Sequence, residues 1–356
     1  MGKKHRIGIL GCGNIGTMHI MGIMESPDLE VGALCDILPN KLADRQRQCG
    51  ASDDMCYSDY VEMLDSGKID AVSICTPNAL HFDMAMEVIK RGLPYALEKP
   101  PCSNEHQTAI LLEETAKRNL LNMVCFSYRF KAAARYARDL ILSGELGKIY
   151  HISAEYFQSW ALPDQNGKLT ELNWRFTKEM SVTGALGDLG SHMIDLCRFL
   201  TGSEFTRVAA DLGTFVNKRP MLGGGPDADV TVDDYVNIVG QMEGPIAANL
   251  SITRFAYARG NYQRVEVYGD NGAIRYTLEE NDALEVNIGN SPMRNNHVFI
   301  GVPIPKKYYK TQMQSFADIL NGRSDGLPAD IRDGWRAMRV VDGALASAVS
   351  GVHSNI

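Results

Sequence analysis

Over its first third the chain alternates short, almost wholly apolar runs with stretches whose apolar positions recur every three or four residues. The apolar runs lie at 6–10, 31–35, 55–57, 71–75, 95–97 and 122–126, and the periodic stretches at 14–24, 40–48, 59–66, 79–91 and 104–119. Strands separated by helices predict a parallel sheet covered on both faces, which is why its strands read as continuous apolar runs. After a further helical stretch to about Leu142, closed by Ser143-Gly144, the pattern changes. Long one-sided alternation follows at 149–157, 207–216, 235–242, 247–254 and 265–268, and Gly269-Asp270-Asn271-Gly272 marks a hairpin turn into 273–278. That alternation suits an antiparallel sheet with one face on helices. Residues 221–229 and 290–308 read as loops, and 310–320 and 330–349 as closing helices. The expected architecture is an α/β N-terminal domain over 1–127 and an α+β C-terminal domain over 128–356 with a large, mainly antiparallel sheet. A length of 356 residues agrees with two domains.

The first strand runs into Gly11-Cys12-Gly13-Asn14-Ile15-Gly16, which opens a helix. Gly-x-Gly-x-x-Gly in this position permits a tight turn, close approach of backbone to a pyrophosphate, and helix-on-strand packing; the helix N-terminus offers amides to the phosphates. The second strand ends in Asp36, 20 residues after Gly16, where a ribose-binding acid belongs. The N-terminal domain is therefore expected to be a Rossmann domain. A carboxylate at Asp36 repels a 2′-phosphate, and Ile37 and Leu38 supply no arginine to hold one, so NAD is favoured over NADP. Ligands of such sheets bind beyond the carboxyl ends of the strands. Thr76-Pro77-Asn78 and Glu98-Lys99-Pro100-Pro101 occupy two such ends and are expected to face the cofactor. Lys99, between Glu98 and two prolines, is either a surface lysine paired with Glu98 or, beside a nucleotide, a group that hydrogen-bonds a substrate hydroxyl.

Residues 183–195 read Thr-Gly-Ala-Leu-Gly-Asp-Leu-Gly-Ser-His-Met-Ile-Asp, glycine-loosened turns leading into an apolar helical run. Asp188 and His192, four apart, share one face if the segment is helical, and an imidazole beside a carboxylate can take a proton near neutral pH. The plain alternative is a helix cap and a core histidine. Composition narrows the field. A net charge of −7 argues against nucleic-acid or anionic-membrane partners, no apolar run is long enough to span a bilayer, and the basic N-terminus lacks a cleavage site after it. The eight cysteines include no Cys-x-x-Cys or zinc-like Cys/His spacing, so no metal is expected and a cytoplasmic location fits reduced thiols.

Taken together, Gly11–Gly16 with Asp36, Thr76-Pro77-Asn78 with His81, Glu98-Lys99-Pro100, and the run from Gly184 through Asp188 and His192 to Asp195 resemble the Gfo/Idh/MocA family of sugar and cyclitol oxidoreductases. The resemblance implies Lys99, Asp188 and His192 as the catalytic set and a cis Lys99–Pro100 peptide. It implies cofactor contacts at Gly11, Gly13, Asn14, Ile15, Gly16, Asp36, Thr76, Pro77, Asn78, His81, Glu98 and Lys99, and an open C-terminal sheet that builds a homodimer or homotetramer. Thr183 departs from the glycine usual at that point of the loop, which bears on loop shape. Tyr128, Arg129, Tyr156, Gln158, Trp160, Trp174 and Arg175, with Asp188 and His192, are candidates for holding a sugar, glycoside or cyclitol, whose ring shows apolar C–H faces and a hydroxyl rim. Trp174-Arg175 resembles the glucoside-3-dehydrogenase and levoglucosan-dehydrogenase branch. The expected reaction is hydride transfer to NAD+ from C3 of a glucose-like ring, with inositol 2-dehydrogenation second, and an NAD-dependent glycosidase or a sugar-sensing regulator as further readings.

Overall fold

The computed structural model describes residues 4–221, 223–279, 281–289 and 298–356. The chain forms two compact units. The first runs to Phe126 and takes in Lys310–Trp335; the second comprises Ser127–Tyr309 and Arg336–Ile356.

In the first unit the strands β1 (His5–Leu10), β2 (Leu29–Cys35), β3 (Cys56–Tyr57), β4 (Ala71–Ile74), β5 (Tyr95–Leu97) and β6 (Asn122–Val124) form one sheet in the order β3-β2-β1-β4-β5-β6. Every pairing is parallel. Ile7, Ile9, Leu34, Val72, Ile74, Ala96 and Leu97 are completely buried, as strands covered on both faces require. Local signals set the helix ends. Pro39 and left-handed Gly50 bracket Pro39–Cys49, while Asp59 and Asn104 cap the helices that follow them by accepting from first-turn amides. The order reverses between β1 and β4, the switch point at which such sheets bind ligands.

The segment Lys310–Trp335 had been expected within 128–356. It instead packs in the first unit, where Gly22 lets the helix Gln312–Leu320 lie close on Asn14–Glu25: a Cβ there would meet Met313 Cγ at 2.9 Å. Val124 N–H donates to Ala329 O (2.8 Å) and Ile331 N–H to Asn122 Oδ1 (2.7 Å), which fastens the segment to β6.

In the second unit β7 (Ile149–Phe157), β8 (Phe205–Gly213), β11 (Tyr235–Met242), β12 (Ala247–Thr253), β13 (Tyr262–Gly269), β14 (Gly272–Thr277), β15 (Ala283–Ile288), β16 (Ile300–Val302) and β17 (Ser354–Asn355) make a nine-stranded sheet; β9 (Lys218–Arg219) pairs separately with β10 (Ala228–Asp229). The sheet order is β16-β15-β14-β13-β7-β12-β11-β8-β17, antiparallel except for β12 on β7. One face carries buried Ile152, Ala154, Val236, Ile238, Leu250, Ile252, Val265 and Val267, while the other leaves residues such as Val239 exposed. The helix Ser191–Thr201 is buried at every position. Two loop expectations need correction: Ile300–Val302, inside 290–308, is a strand on β15, and Ala228–Asp229, inside 221–229, pairs with Lys218–Arg219. Both are short edge elements with no apolar stripe to betray them. Residues 222 and 290–297 of those expected loops lie outside the described residues.

Candidate functional site

In the first unit the glycine loop has the shape a dinucleotide needs. Gly11 turns with φ +95°, and a Cβ there would crowd Cys75 O at 2.8 Å; a Cβ on Gly16 would stand 2.1 Å from Gly11 O. At Gly13 a Cβ would meet nothing within 4 Å, so the backbone is bare on the side left for a ligand. The helix Asn14–Glu25 starts with no side-chain cap and no acid in its first turn, leaving its N-terminal amides and dipole for phosphate. Asp36 Oδ2 accepts from Cys12 N–H (2.7 Å) and Oδ1 from Leu38 N–H (2.8 Å). Each oxygen keeps a further lone pair for a ribose hydroxyl. These residues fit NAD.

At the next strand ends the Lys99–Pro100 peptide is cis. His81, expected among the cofactor contacts, is fully buried behind the loops: its Nδ1 lies 2.9 Å from Pro100 O and its Nε2 2.8 Å from Thr76 O. Burial lowers its pKa, opposed by the two carbonyl contacts, each of which calls for an N–H donor; both ring nitrogens are engaged within the protein, between the two strand-end loops, and neither is offered to a ligand. Glu98 is also nearly enclosed. Its Oε1 contacts His19 Nε2 at 2.9 Å, and its Oε2 accepts from Lys99 N–H at 3.3 Å. Burial works against charge on both partners and is outweighed: Cys75 first and then Glu98 raise His19 to about 10, and His19, with Lys99 and His81, lowers the Glu98 carboxyl. They form a buried ion pair at the residue that precedes Lys99. Sequence reasoning missed His19, whose position on the cofactor-binding helix gave no hint of a partner 79 residues on. Among the described residues His19, Glu98 and Cys125 are the one group whose ligand atoms, within 4.8 Å of one another, have metal-binding types. The direct His19–Glu98 bond and a Cys125 thiol that burial pushes far up make it an ion pair with a neutral neighbour.

In the second unit the segment carrying Asp188 and His192 is helical, but its first turn is wide. Ser191 N–H donates to Leu186 O across Leu186–Gly190, so Asp188 sits on a π-type turn, and the regular helix begins at Ser191. His192 is buried against Tyr128, the rings edge-on with centroids 4.5 Å apart, and Tyr156 stands behind at 6.3 Å. The two phenols share a 2.5 Å contact, and Tyr156 Oη also donates to Asn261 Oδ1 (2.7 Å). Gln158 Nε2 donates to Tyr156 Oη (3.0 Å), and Trp160 Nε1 donates to Gln158 Oε1 (2.7 Å). Burial, with Asp188 nearby, raises both phenols, so they remain hydroxyls at neutral pH and serve as donors. Asn261 is a member of this network that no sequence motif announced.

Arg175 Nε lies 3.9 Å from Asp188 Oδ2, and its guanidinium stacks on the Trp174 ring at 4.2 Å. Its backbone is held twice, by Asn173, which caps the short turn Trp174–Phe176, and by Arg254, which donates to Arg175 O (3.1 Å). Phe176 is clamped between Arg219 and Arg254, 4.0 and 4.7 Å from its centroid. Arg129, by contrast, leaves the expected substrate set. It is buried and makes a two-pronged pair with Asp195 (2.7 and 2.6 Å), its guanidinium over Phe199. The structure thus brings together Tyr128, Tyr156, Gln158 and Trp160 in one network that reaches His192, and Trp174 and Arg175 beside Asp188, while Arg129 serves the core.

A parallel sheet with a glycine loop at its switch point, joined to a unit built on a large open sheet, defines an NAD-binding oxidoreductase. Residues 5–126 match the oxidoreductase family with NAD-binding Rossmann fold, and 134–275 the GFO/IDH/MocA C-terminal domain. Levoglucosan dehydrogenase of Pseudarthrobacter phenanthrenivorans is 31% identical over 300 residues, covering 79% of this chain and 75% of that protein. Inositol 2-dehydrogenase of Rhizobium meliloti is 26% identical over 347 residues, covering 96% of each. A levoglucosan dehydrogenase solved in complex with NADH superposes with a TM-score of 0.89 at 27% identity, over 99% of both chains. The chain belongs to the Gfo/Idh/MocA family and is an NAD-dependent oxidoreductase of the sugar- and cyclitol-dehydrogenase type.

Proposed function

We propose that the chain oxidises a secondary ring hydroxyl, at C3, of a glucose-like sugar or glucoside to the keto sugar. NAD+ supplies the hydride acceptor, held by Gly11–Gly16, Asp36 and the loops at Thr76-Pro77-Asn78 and Glu98-Lys99. His192 takes the hydroxyl proton, Lys99 hydrogen-bonds the same oxygen and balances its developing charge, and Asp188 orients substrate or imidazole. Tyr128, Tyr156, Gln158, Trp160, Trp174 and Arg175 offer ring faces and hydroxyl partners to the pyranose.

The observation that carries this reading is the network around His192: aromatic rings beside the imidazole, with phenol, amide and indole groups locked in place by hydrogen bonds to one another, whose remaining oxygen lone pairs suit the hydroxyl rim of a polyhydroxylated ring. The 31% identity to levoglucosan dehydrogenase supports a sugar ring, and the full-length likeness to inositol 2-dehydrogenase keeps a cyclitol as the second reading. The cysteines, all free, suit a reducing cytoplasm, no described helix is long and apolar enough to cross a membrane, and the exposed sheet face suits a homo-oligomer. The test is NADH formation with purified protein, NAD+ and a panel of glucose, glucosides, levoglucosan and inositols. Glucose-like substrates giving a 3-keto product support the proposal. Turnover of inositol alone establishes the second reading, and no NADH with any of them refutes both.

A further inference from the structure

The turn that delivers Asp188 is held by a residue assigned no role so far. Val182 has φ 71° and ψ −54°, and Thr183 N–H donates to Ser181 O at 2.9 Å. This is a γ-turn of the strained, positive-φ kind, and Val182 is β-branched, the residue type least suited to it. Such a conformation persists only where its surroundings over-determine it. Here they do. The successive amides of Gly184, Ala185 and Leu186 all end on Asp233: Gly184 N–H on Oδ1 (2.8 Å), Ala185 N–H on the main-chain oxygen (3.0 Å) and Leu186 N–H on Oδ2 (2.7 Å). These are amides that open a helix and have no partner within it, and that helix has no side-chain cap of its own. The approach is close enough to demand glycine, since a Cβ on Gly184 would fall 1.7 Å from Asp233 O.

Asp233 is itself fixed. It is buried, and its neighbour Asp234 pairs with Arg254 (2.7 Å) and accepts from Phe215 N–H (2.8 Å). Arg254 in turn holds the main-chain oxygen of Arg175, the residue beside Asp188. The consecutive acids thus clamp both segments that meet at Asp188.

We propose that Asp233 is a positioning residue for Asp188 and His192: its carboxylate caps the turn at Gly184–Leu186 and holds Val182 in its strained turn. The inference rests on the catalytic reading of Asp188 and His192, and it makes a distinctive prediction. Glycine tolerates positive φ, so it keeps the turn without the clamp. Asp233→Asn, which retains one acceptor, is expected to lower kcat about 10–100-fold with NAD affinity within about twofold of wild type. Val182→Gly alone is expected to leave kcat within about twofold and to raise the melting temperature, and combined with D233N to restore about tenfold of the lost kcat. Because Val182→Gly would also stabilise a generally weakened fold, kcat is measured per folded molecule, well below the melting transition of every variant. Full kcat in folded D233N, or a double variant no better than D233N, overturns the proposal. If D233N does not fold, a melting temperature lowered by V182G alone overturns it and a raised one supports it. Hydrogen exchange of the peptide containing Gly184–Leu186 needs no substrate: about tenfold faster exchange there in D233N, with other peptides unchanged, supports the clamp even if the sugar panel yields no NADH, and unchanged exchange sinks it.

Discussion

His19 Nε2 and Glu98 Oε1 are 2.9 Å apart in the core of the first unit, one residue before Lys99, and neither side chain is open to solvent. Ser73 Oγ closes the other ring nitrogen at 2.6 Å. Taking one partner from a buried pair leaves the other charge uncompensated, which costs about 3–5 kcal/mol, more than the intact pair contributes. His19→Ala is therefore expected to lose about that much in equilibrium denaturation. A loss under about 1 kcal/mol would mean that the pair is not ionised.

The same pair sets a pH dependence. The folded His19 pKa, about 10, lies above the ordinary histidine value near 6.5. Below that ordinary value the ring is protonated whether folded or not, and its contribution is fully present. Above it the unfolded chain gives up the proton while the folded chain keeps it, so stability falls as pH rises toward 10. Buried thiols such as Cys12 and Cys125, also raised, lose stability in the same direction but only near and above their own unfolded pKa, about 8.5. Denaturation midpoints between about pH 6.5 and 8 therefore isolate the histidine. Wild type is expected to decline across that range and His19→Gln to stay flatter; parallel slopes would remove His19 from the explanation.

The glycines of the nucleotide loop separate folding from binding. Gly16→Ala drives a methyl group into Gly11 O and is expected to destabilise the unit, whereas Gly13→Ala places it where no protein atom lies within 4 Å. G13A is expected to melt close to wild type yet bind NAD at least tenfold more weakly, as measured by calorimetry. Unimpaired binding in G13A would mean that the pyrophosphate does not cross that face.

Replacing Lys99 or His192 with alanine is expected to cost about 10²–10⁴ in kcat, with NAD affinity near wild type. Both readouts are needed, because a lysine that merely anchors cofactor would move the dissociation constant instead. Unchanged turnover in both variants would end the proposed assignment.

Much of this fold was legible because periodicity and turn chemistry agree. β5, β7 and β11 lie where apolar runs or alternation put them, and the Gly-Asp-Asn-Gly signal joins β13 to β14. What escaped was set by partners distant in sequence. β15 and the edge strand β16 beside it are partly exposed and carry no clear stripe. His81 reads as a site residue until its ring is seen between two carbonyl groups, and the cap on Gly184–Leu186 comes from a carboxylate 49 positions away. Even Asp188 and His192, correctly singled out as one helical stretch, are spaced by a wide turn that no helical period encodes.

Two arginines show the same lesson and invite a direct comparison. Arg129 and Arg175 both sit in motifs that suggest substrate contact, yet Arg129 is 5% exposed and committed to Asp195, whereas the Arg175 side chain is 34% exposed and only loosely paired with Asp188 at 3.9 Å. Arg129→Ala is expected to cost about 3–5 kcal/mol of stability, because the buried Asp195 carboxylate loses its two-pronged partner in the core. Arg175→Ala removes an exposed charge whose pairing is worth little to the fold, so its melting temperature is expected to hold. Its loss is expected in KM for the sugar, about 10–100-fold, the size of a charge-assisted hydrogen bond. If R175A instead melts early with an unchanged KM, the guanidinium serves the Trp174 turn and not the substrate, and the sugar's polar partners must be sought among Gln158, Asn261 and the two phenols.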